Sequence, residues 1–166
     1  MMFDRSLNRV NERLNKTLAR NRLLQDVINE LQQQLAVNRV VLYYFYREWK
    51  GQVIAESLSH LQYSILGSTG ADDCFNGAYA QLYLEGRISQ VDDIECIGYE
   101  ECHLNFLRSI QVRANLVIPV IVHDRLWGLL IAHHCEPRHW TAGDRQAMLT
   151  QARRLEQAPV LAERSF

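Results

Sequence analysis

The sequence lacks an excess of either charge, a long apolar run and a secretory leader. Its 166 residues carry 18 basic and 19 acidic side chains, for a formal net charge of −1, which argues against general nucleic-acid binding. No stretch approaches the roughly 20 apolar residues that a membrane-spanning helix needs, and no apolar signal-peptide core follows the N-terminus. We therefore predict a cytoplasmic protein without a membrane span.

Lysine and cysteine are also scarce. Only Lys16 and Lys50 accompany the arginines, and arginine suits bidentate pairing with carboxylates or phosphates. The four cysteines are Cys74, Cys96, Cys102 and Cys135. Without a Cys-x-x-Cys pair, and in a cytoplasmic protein, this pattern favours free thiols over a disulfide framework.

The first segment predicts one long helix from Ser6 to about Ala36. Leucine and valine recur there at steps of three and four, and neither glycine nor proline interrupts the pattern. Up to about Arg22 the segment is polar outside this apolar stripe, so a monomer would bury it poorly. Two interpretations stay open: an amphipathic helix along its own domain, or a parallel helix pair in a dimer or signalling connector.

Two hairpins form the centre of the predicted fold. Their β-branched and aromatic strands are separated by short turns, and the strand pairs are Arg39–Tyr46 with Gln52–Glu56 and Ala114–Val122 with Leu126–Ala132. The remaining predicted elements are a helix at Asn76–Leu84, a strand at Ile88–Ile94 and a helix at Glu100–Ile110. A last helix begins at a predicted cap, Thr141, with Asp144 in its first turn, and Pro159 bends or ends it. Hairpins flanked by helices predict an α+β domain with a central antiparallel sheet.

The long irregular segment between the hairpins is predicted to carry function, because such loops in compact domains usually do. It contains Cys74, and Cys102 follows beside His103 near a helix start, a setting that suits a reactive thiol. A metal site built from Cys102, His103, His134 and Cys135 has no supporting ligand spacing. His133 and His134 point to opposite faces of a strand, so only one can face a pocket.

Several stretches of the sequence resemble those of a known family. Cys102–Pro119 followed by Leu126–Cys135 resembles the bilin-binding GAF domain of cyanobacteriochromes, and the first hairpin is similar to that of the family. Asp72-Asp-Cys-Phe75 resembles the Asp-x-Cys-Phe motif of a dual-cysteine subfamily. The resemblance implies a connector helix at 1–21, a bilin-binding GAF domain at 22–155 and a C-terminal connector helix at 156–166.

The resemblance implies a photoreceptor module, not an enzyme, that binds phycocyanobilin or its isomer phycoviolobilin covalently. Cys102 would form a permanent thioether to ring A, and Cys74 a second, reversible thioether to the central methine bridge. Reversal of that second bond, after isomerisation between rings C and D, would switch the module between blue-absorbing and green- or teal-absorbing states. Further implied bilin contacts are Asp72, His103, Arg87, His133, Tyr79 and Phe106.

The partners that the resemblance implies are the bilin and a kinase, cyclase or chemotaxis output domain, together with a possible homodimer through the terminal helices. The resemblance to the GAF fold leaves two alternatives open. One is a GAF-type cyclic-nucleotide sensor without a covalent bond. The other is a thiol enzyme that reduces methionine sulfoxide, with Cys74 and Cys102 as attacking and resolving cysteines.

Overall fold

The computed structural model describes residues 2–69 and 77–162, with side chains from residue 5. Five α-helices follow in chain order: α1 (Met2–Leu35), α2 (Gly77–Leu84), α3 (Glu101–Ser109), α4 (Ala142–Glu156) and α5 (Pro159–Ala162). Five strands complete the framework: β1 (Arg39–Arg47), β2 (Lys50–Leu58), β3 (Ser89–Val91), β4 (Ala114–Val122) and β5 (Arg125–His134). Short 3-10 helices occur at Leu61–Tyr63 and Ile94–Cys96.

The strands form one antiparallel sheet in the order β2-β1-β5-β4-β3. Both predicted hairpins are present, and β5 lies between β1 and β4 at the centre of the sheet. The backbones of β1 and β5 approach closely at Gly128, where a Cβ atom would collide with the Tyr43 carbonyl oxygen. This confirms the predicted α+β fold with an antiparallel sheet and helices at both ends of the chain.

The two faces of the sheet have different covers. On one face, Leu42, Leu116 and Leu130 pack against α1 and α4 in the main hydrophobic core. On the other face, alternate residues such as Val41 and Val117 lie beneath α2. Because both faces are covered, β4 is buried at almost every position. The alternation of side chains along each strand therefore decides which residues reach the second face.

Helix α1 is buried along only half of its length. Leu24, Val27 and Leu31 belong to the main core, whereas the side chains of Leu7 and Leu14 are 61% and 53% exposed. The apolar stripe is thus continuous, but only its second half packs on the domain. The second half of α1 lies along its own domain, as the first interpretation predicts. The exposed first half is available to contact a partner, as the second interpretation predicts.

The predicted cap of α4 is confirmed. The Thr141 side chain accepts from the Asp144 backbone N–H, and the Asp144 carboxylate accepts from the Thr141 N–H, which satisfies two donors at the helix start. Helix α4 ends at Glu156, and a separate short helix begins at Pro159, as the fixed φ of proline at a first helical position favours.

The predicted strand at Ile88–Ile94 is too long by several residues, since β3 covers only Ser89–Val91. The cause is Asp93, whose carboxylate accepts from the Glu95 backbone N–H and starts a 3-10 turn. The same carboxylate receives two hydrogen bonds from Arg113, at 2.8 and 3.0 Å. Arg113 and Asp93 therefore form an ion pair.

The helices of the described ranges include none that combines the length and the apolar character needed to cross a bilayer.

Candidate functional site

A cavity lies between the second face of the sheet and helices α2 and α3. About 910 Å³ of empty space, which includes open solvent, lies within its lining. Most of the described lining is aliphatic or aromatic, including Val41, Tyr43, Val117, Leu129 and Ile131. Among the described lining residues there is no carboxylate, and Arg87 is the one residue with a permanent charge.

Five of the eight residues that the resemblance implies as bilin contacts line this cavity: Tyr79, Arg87, His103, Phe106 and His133. They come from α2, the turn after it, α3 and β5. Their convergence depends on the fold, since they are spread over more than 50 positions of the chain. Asp72 and Cys74 lie outside the described residues.

Cys102 lies beside the cavity, on the first turn of α3, and is exposed. Its neighbour His103 lines the cavity. The expectation that all four cysteines are free thiols is wrong for Cys102, which is disulfide-bonded, whereas Cys96 and Cys135 are free. An exposed sulfur on a helix start is accessible to a second sulfur, and compartment alone does not exclude that bond.

His103 is half-buried against an aromatic neighbour. The Tyr99 ring meets its imidazole edge to face, with ring centroids 4.6 Å apart. Burial lowers the pKa of His103 below its ordinary value, because desolvation disfavours the imidazolium. At neutral pH this residue therefore presents a neutral ring to the cavity.

Two tyrosines and a serine form the polar part of the wall near β3. The side chains of Tyr83, Tyr99 and Ser89 all line this part of the cavity. Burial raises the pKa of Tyr83 to about 12, so both phenols are neutral at physiological pH. This wall supplies hydroxyl groups without charge.

Arg87 lies at the rim. Helix α2 ends as predicted before Gly86, whose φ is +89°, and the Arg87 backbone N–H donates to the Leu82 carbonyl at 3.0 Å. This turn places an exposed guanidinium at the edge of the cavity. A carboxylate on a ligand that projects from the cavity could pair with it in bidentate fashion.

A buried arginine holds His133 in place. Arg39, 2% exposed, donates from Nε to His133 Nδ1 at 3.1 Å, from Nη1 to the Tyr63 carbonyl and from Nη2 to the Ile110 carbonyl. Because guanidinium is only a donor, His133 Nδ1 is the acceptor and its proton is on Nε2. Burial and the nearby Arg39 charge lower the pKa of His133 well below its ordinary value.

Replacement of Arg39 by methionine is expected to lower the free energy of unfolding by about 3 kcal/mol or more. One buried and two partly buried acceptors would lose their donor, and each unsatisfied buried group costs about 1–3 kcal/mol. Urea unfolding followed by tryptophan fluorescence measures the change.

Arg154→Met is the matched control for Arg39→Met. Arg154 also makes an ion pair, at 3.1 Å to Glu30, but both side chains are largely exposed, so its loss should cost less than about 1 kcal/mol. Equal effects of the two substitutions would contradict the assignment of Arg39 as a buried anchor.

Sequence reasoning missed several polar residues of the cavity wall, among them Ser89, Tyr99 and Asn115, and it missed Arg39, which binds His133. Arg39, Ser89 and Asn115 are polar residues within strands that are otherwise largely apolar. That contrast was the available signal, because a polar residue in a strand covered on both faces needs a partner.

No group of three His, Cys, Asp or Glu side chains suited to a metal ion is found within the ranges 2–69 and 77–162.

The chain is similar to known proteins over most of its length. The sequence model of the GAF domain matches residues 19–158. An uncharacterized protein of Picosynechococcus sp. is 66% identical over 154 residues, which cover 93% of this chain and 95% of that protein. A Synechocystis protein named as a putative methyl-accepting chemotaxis protein is 42% identical over 112 residues; the match covers 67% of this chain but 11% of that protein.

A solved structure is similar over most of the chain. It is the blue-light absorbing form of the PixJ GAF domain of Thermosynechococcus elongatus, with a TM-score of 0.79 and 36% identity. The similarity covers 87% of this chain and 89% of that one. Fold and sequence thus point to the same group of proteins.

Proposed function

The chain belongs to the GAF domain family, and on that basis we propose that it is a photosensory module whose cavity binds a linear tetrapyrrole. The observation that carries this proposal is the convergence of Tyr79, Arg87, His103, Phe106 and His133 on one cavity. The resemblance of the sequence to cyanobacteriochrome GAF domains implies the same five residues as bilin contacts. The similarity to the blue-light absorbing PixJ domain supports the same assignment.

The chemistry of the lining suits such a ligand. A bilin is a flat conjugated chain of four pyrrole rings with two propionate groups, and it supplies visible-light absorption. The aliphatic and aromatic wall accommodates its flat faces, and Arg87 at the rim would pair with a propionate. His103, neutral and held by Tyr99, would contact the central rings.

A protonated bilin needs a counter-charge, which we assign to Asp72. A carboxylate near the pyrrole nitrogens stabilises the protonated form, since an opposite charge favours the charged state of its neighbour. The described lining contributes no acid of its own. Asp72 lies outside the described residues, so its role rests on the Asp-x-Cys-Phe resemblance.

Cys102 is the proposed site of permanent attachment. Its sulfur adds to the side chain of ring A, so that a carbon–sulfur bond forms while the thiol proton passes to the pigment, and nothing is oxidised or reduced. Cys102 must be a free thiol for this addition, so its disulfide has to be reduced first. The helix start stabilises the thiolate, although Glu100 and Glu101 oppose it.

Cys74 is the proposed site of the second, reversible thioether. Its thiol would add with the sulfur at the central methine carbon and the proton on a pyrrole nitrogen. That carbon becomes tetrahedral, which divides the conjugated system and shifts absorption to the blue. Elimination of the sulfur restores conjugation and a green or teal band. His133, on the floor of the cavity, would contact rings C and D, where isomerisation changes the fit and releases the sulfur.

The terminal helices are the proposed route to an output. The exposed first half of α1 would pair with a second copy or continue a signalling connector. We retain 1–21 and 156–166 as connectors around a sensor domain at 22–155. The chemotaxis relative is far longer than the matched region, which makes a receptor output one suitable partner.

Production of the chain in a host that makes phycocyanobilin tests the proposal. The purified protein should be coloured, and its band on a denaturing gel should fluoresce with zinc, because a thioether survives denaturation. A colourless protein that binds a cyclic nucleotide saturably would contradict it.

A further inference from the structure

Three polar residues form one row across the second face of the sheet. Arg39 on β1 is paired with His133 on β5, and His133 is paired with Asn115 on β4. All three are buried, with Asn115 and His133 each 6% exposed. The next row towards the cavity centre is Val41, Ile131 and Val117, so the polar row stands out against an apolar wall.

Asn115 has an unsatisfied group in this row. Its side-chain oxygen Oδ1 is fully buried and has no hydrogen-bond partner, although the residue lines the cavity. Buried polar atoms are nearly always paired in folded proteins. An unpaired acceptor in a ligand cavity indicates that the ligand supplies the donor.

His133 offers the complementary group beside it. Arg39 occupies Nδ1, at 3.1 Å from its Nε, so the proton of the neutral ring is on Nε2. Neighbouring strands therefore present one acceptor, Asn115 Oδ1, and one donor, His133 Nε2–H. A lactam carries an N–H donor and a carbonyl acceptor on adjacent atoms and matches this pair.

The row lies at the opposite end of α3 from Cys102. Arg39 Nη2 donates to the carbonyl of Ile110, which caps the C-terminus of α3, whereas Cys102 is on the first turn. A helix rises about 1.5 Å per residue, so these two positions are about 12 Å apart along its axis. A linear ligand tethered at Cys102 would reach the polar row with its far end.

We propose that Asn115 is a binding residue for the terminal lactam of the bilin, the ring most distant from the Cys102 tether, and accepts a hydrogen bond from that ring's N–H at Oδ1. His133 Nε2–H donates to the carbonyl of the same ring. This inference rests on the proposed function, since it concerns how the bilin of that site is held.

Protein loaded with ¹⁵N-labelled phycocyanobilin tests this inference by NMR. In Asn115→Leu, which removes the acceptor at similar volume, the N–H proton signal of the terminal ring should move upfield from its wild-type position. In Asn115→Asp, which keeps an acceptor at the same place, the signal should stay near or downfield of the wild-type position. Gln90→Leu, at a polar strand position that does not line the cavity, should leave it unmoved.

Zinc fluorescence on a denaturing gel separates this inference from the proposed function. Covalent loading in the Asn115 variants, with the N–H signal unchanged in Asn115→Leu, overturns the role of Asn115 and leaves the photosensory proposal standing. An upfield move in Asn115→Asp overturns it as well, and this outcome remains available if the leucine variant does not fold. Failure of the wild-type protein to bind the bilin overturns both.

Discussion

Cys102→Ala is expected to lose nearly all covalent pigment when it is produced with phycocyanobilin. The substitution removes the sulfur that forms the permanent thioether, at an exposed position beside a residue of the cavity wall. The cavity itself is unchanged, so pigment can still bind weakly and without a bond. Zinc fluorescence of the denatured protein, relative to the amount of protein, measures the loss.

Cys96→Ala and Cys135→Ala are the matched controls for Cys102→Ala. Both residues are free thiols, and neither lines the cavity, so both variants should attach pigment as the wild type does. Because Cys102 is disulfide-bonded in the structure, attachment to purified wild-type protein should also require a thiol reductant. Wild-type levels of zinc fluorescence in Cys102→Ala would place the permanent bond elsewhere.

Cys74→Ala is expected to keep the pigment and lose the blue-absorbing state. With Cys102 intact the permanent thioether still forms, but no second sulfur is available to divide the conjugated system. The variant should absorb only at longer wavelength, as an uninterrupted bilin does. Absorption spectroscopy of the purified variant, in darkness and after illumination, measures this change.

Two comparisons make the Cys74→Ala result specific. Cys135→Ala removes another thiol of the chain and should retain the blue band. After acid denaturation, the wild type and Cys74→Ala should carry similar amounts of attached pigment per protein, since both keep Cys102. Persistence of the blue band in Cys74→Ala would contradict the mechanism with two thioethers.

Local signals in the sequence determine much of the fold. Strand β4 occupies Ala114–Val122, as its β-branched run predicts, and the cap at Thr141 forms with Asp144 as predicted. Alternation also predicts that His133 and His134 separate, and His133 alone of the two lines the cavity. These features depend on neighbours within a few residues, which a sequence shows directly.

Features that depend on strand register could not be predicted in this way. Arg39 and His133 are 94 positions apart in the chain, and nothing local indicates that they become neighbours. The polar row with Asn115 appears only once β5 is placed between β1 and β4. The predicted strand at Ile88–Ile94 is too long for a related reason. The Asp93 carboxylate starts a 3-10 turn and pairs with Arg113, so the sheet ends before it.

The candidate site is identified only when sequence patterns and the fold are considered together. Pattern resemblance selected Tyr79, Arg87, His103, Phe106 and His133, and the fold brings these residues to one cavity. The structure adds the tautomer of His133, the neutral state of His103 and the unpaired oxygen of Asn115. Their protonation and hydrogen bonding depend on burial, which composition does not reveal.

The absorption spectrum of the pigment-loaded wild-type protein, recorded before and after blue illumination, tests the central claim most directly. We predict a dark state that absorbs in the blue, a green- or teal-absorbing product after illumination, and return of the blue band when the product is illuminated in turn. A covalently loaded protein whose spectrum stays the same under blue light would contradict the account.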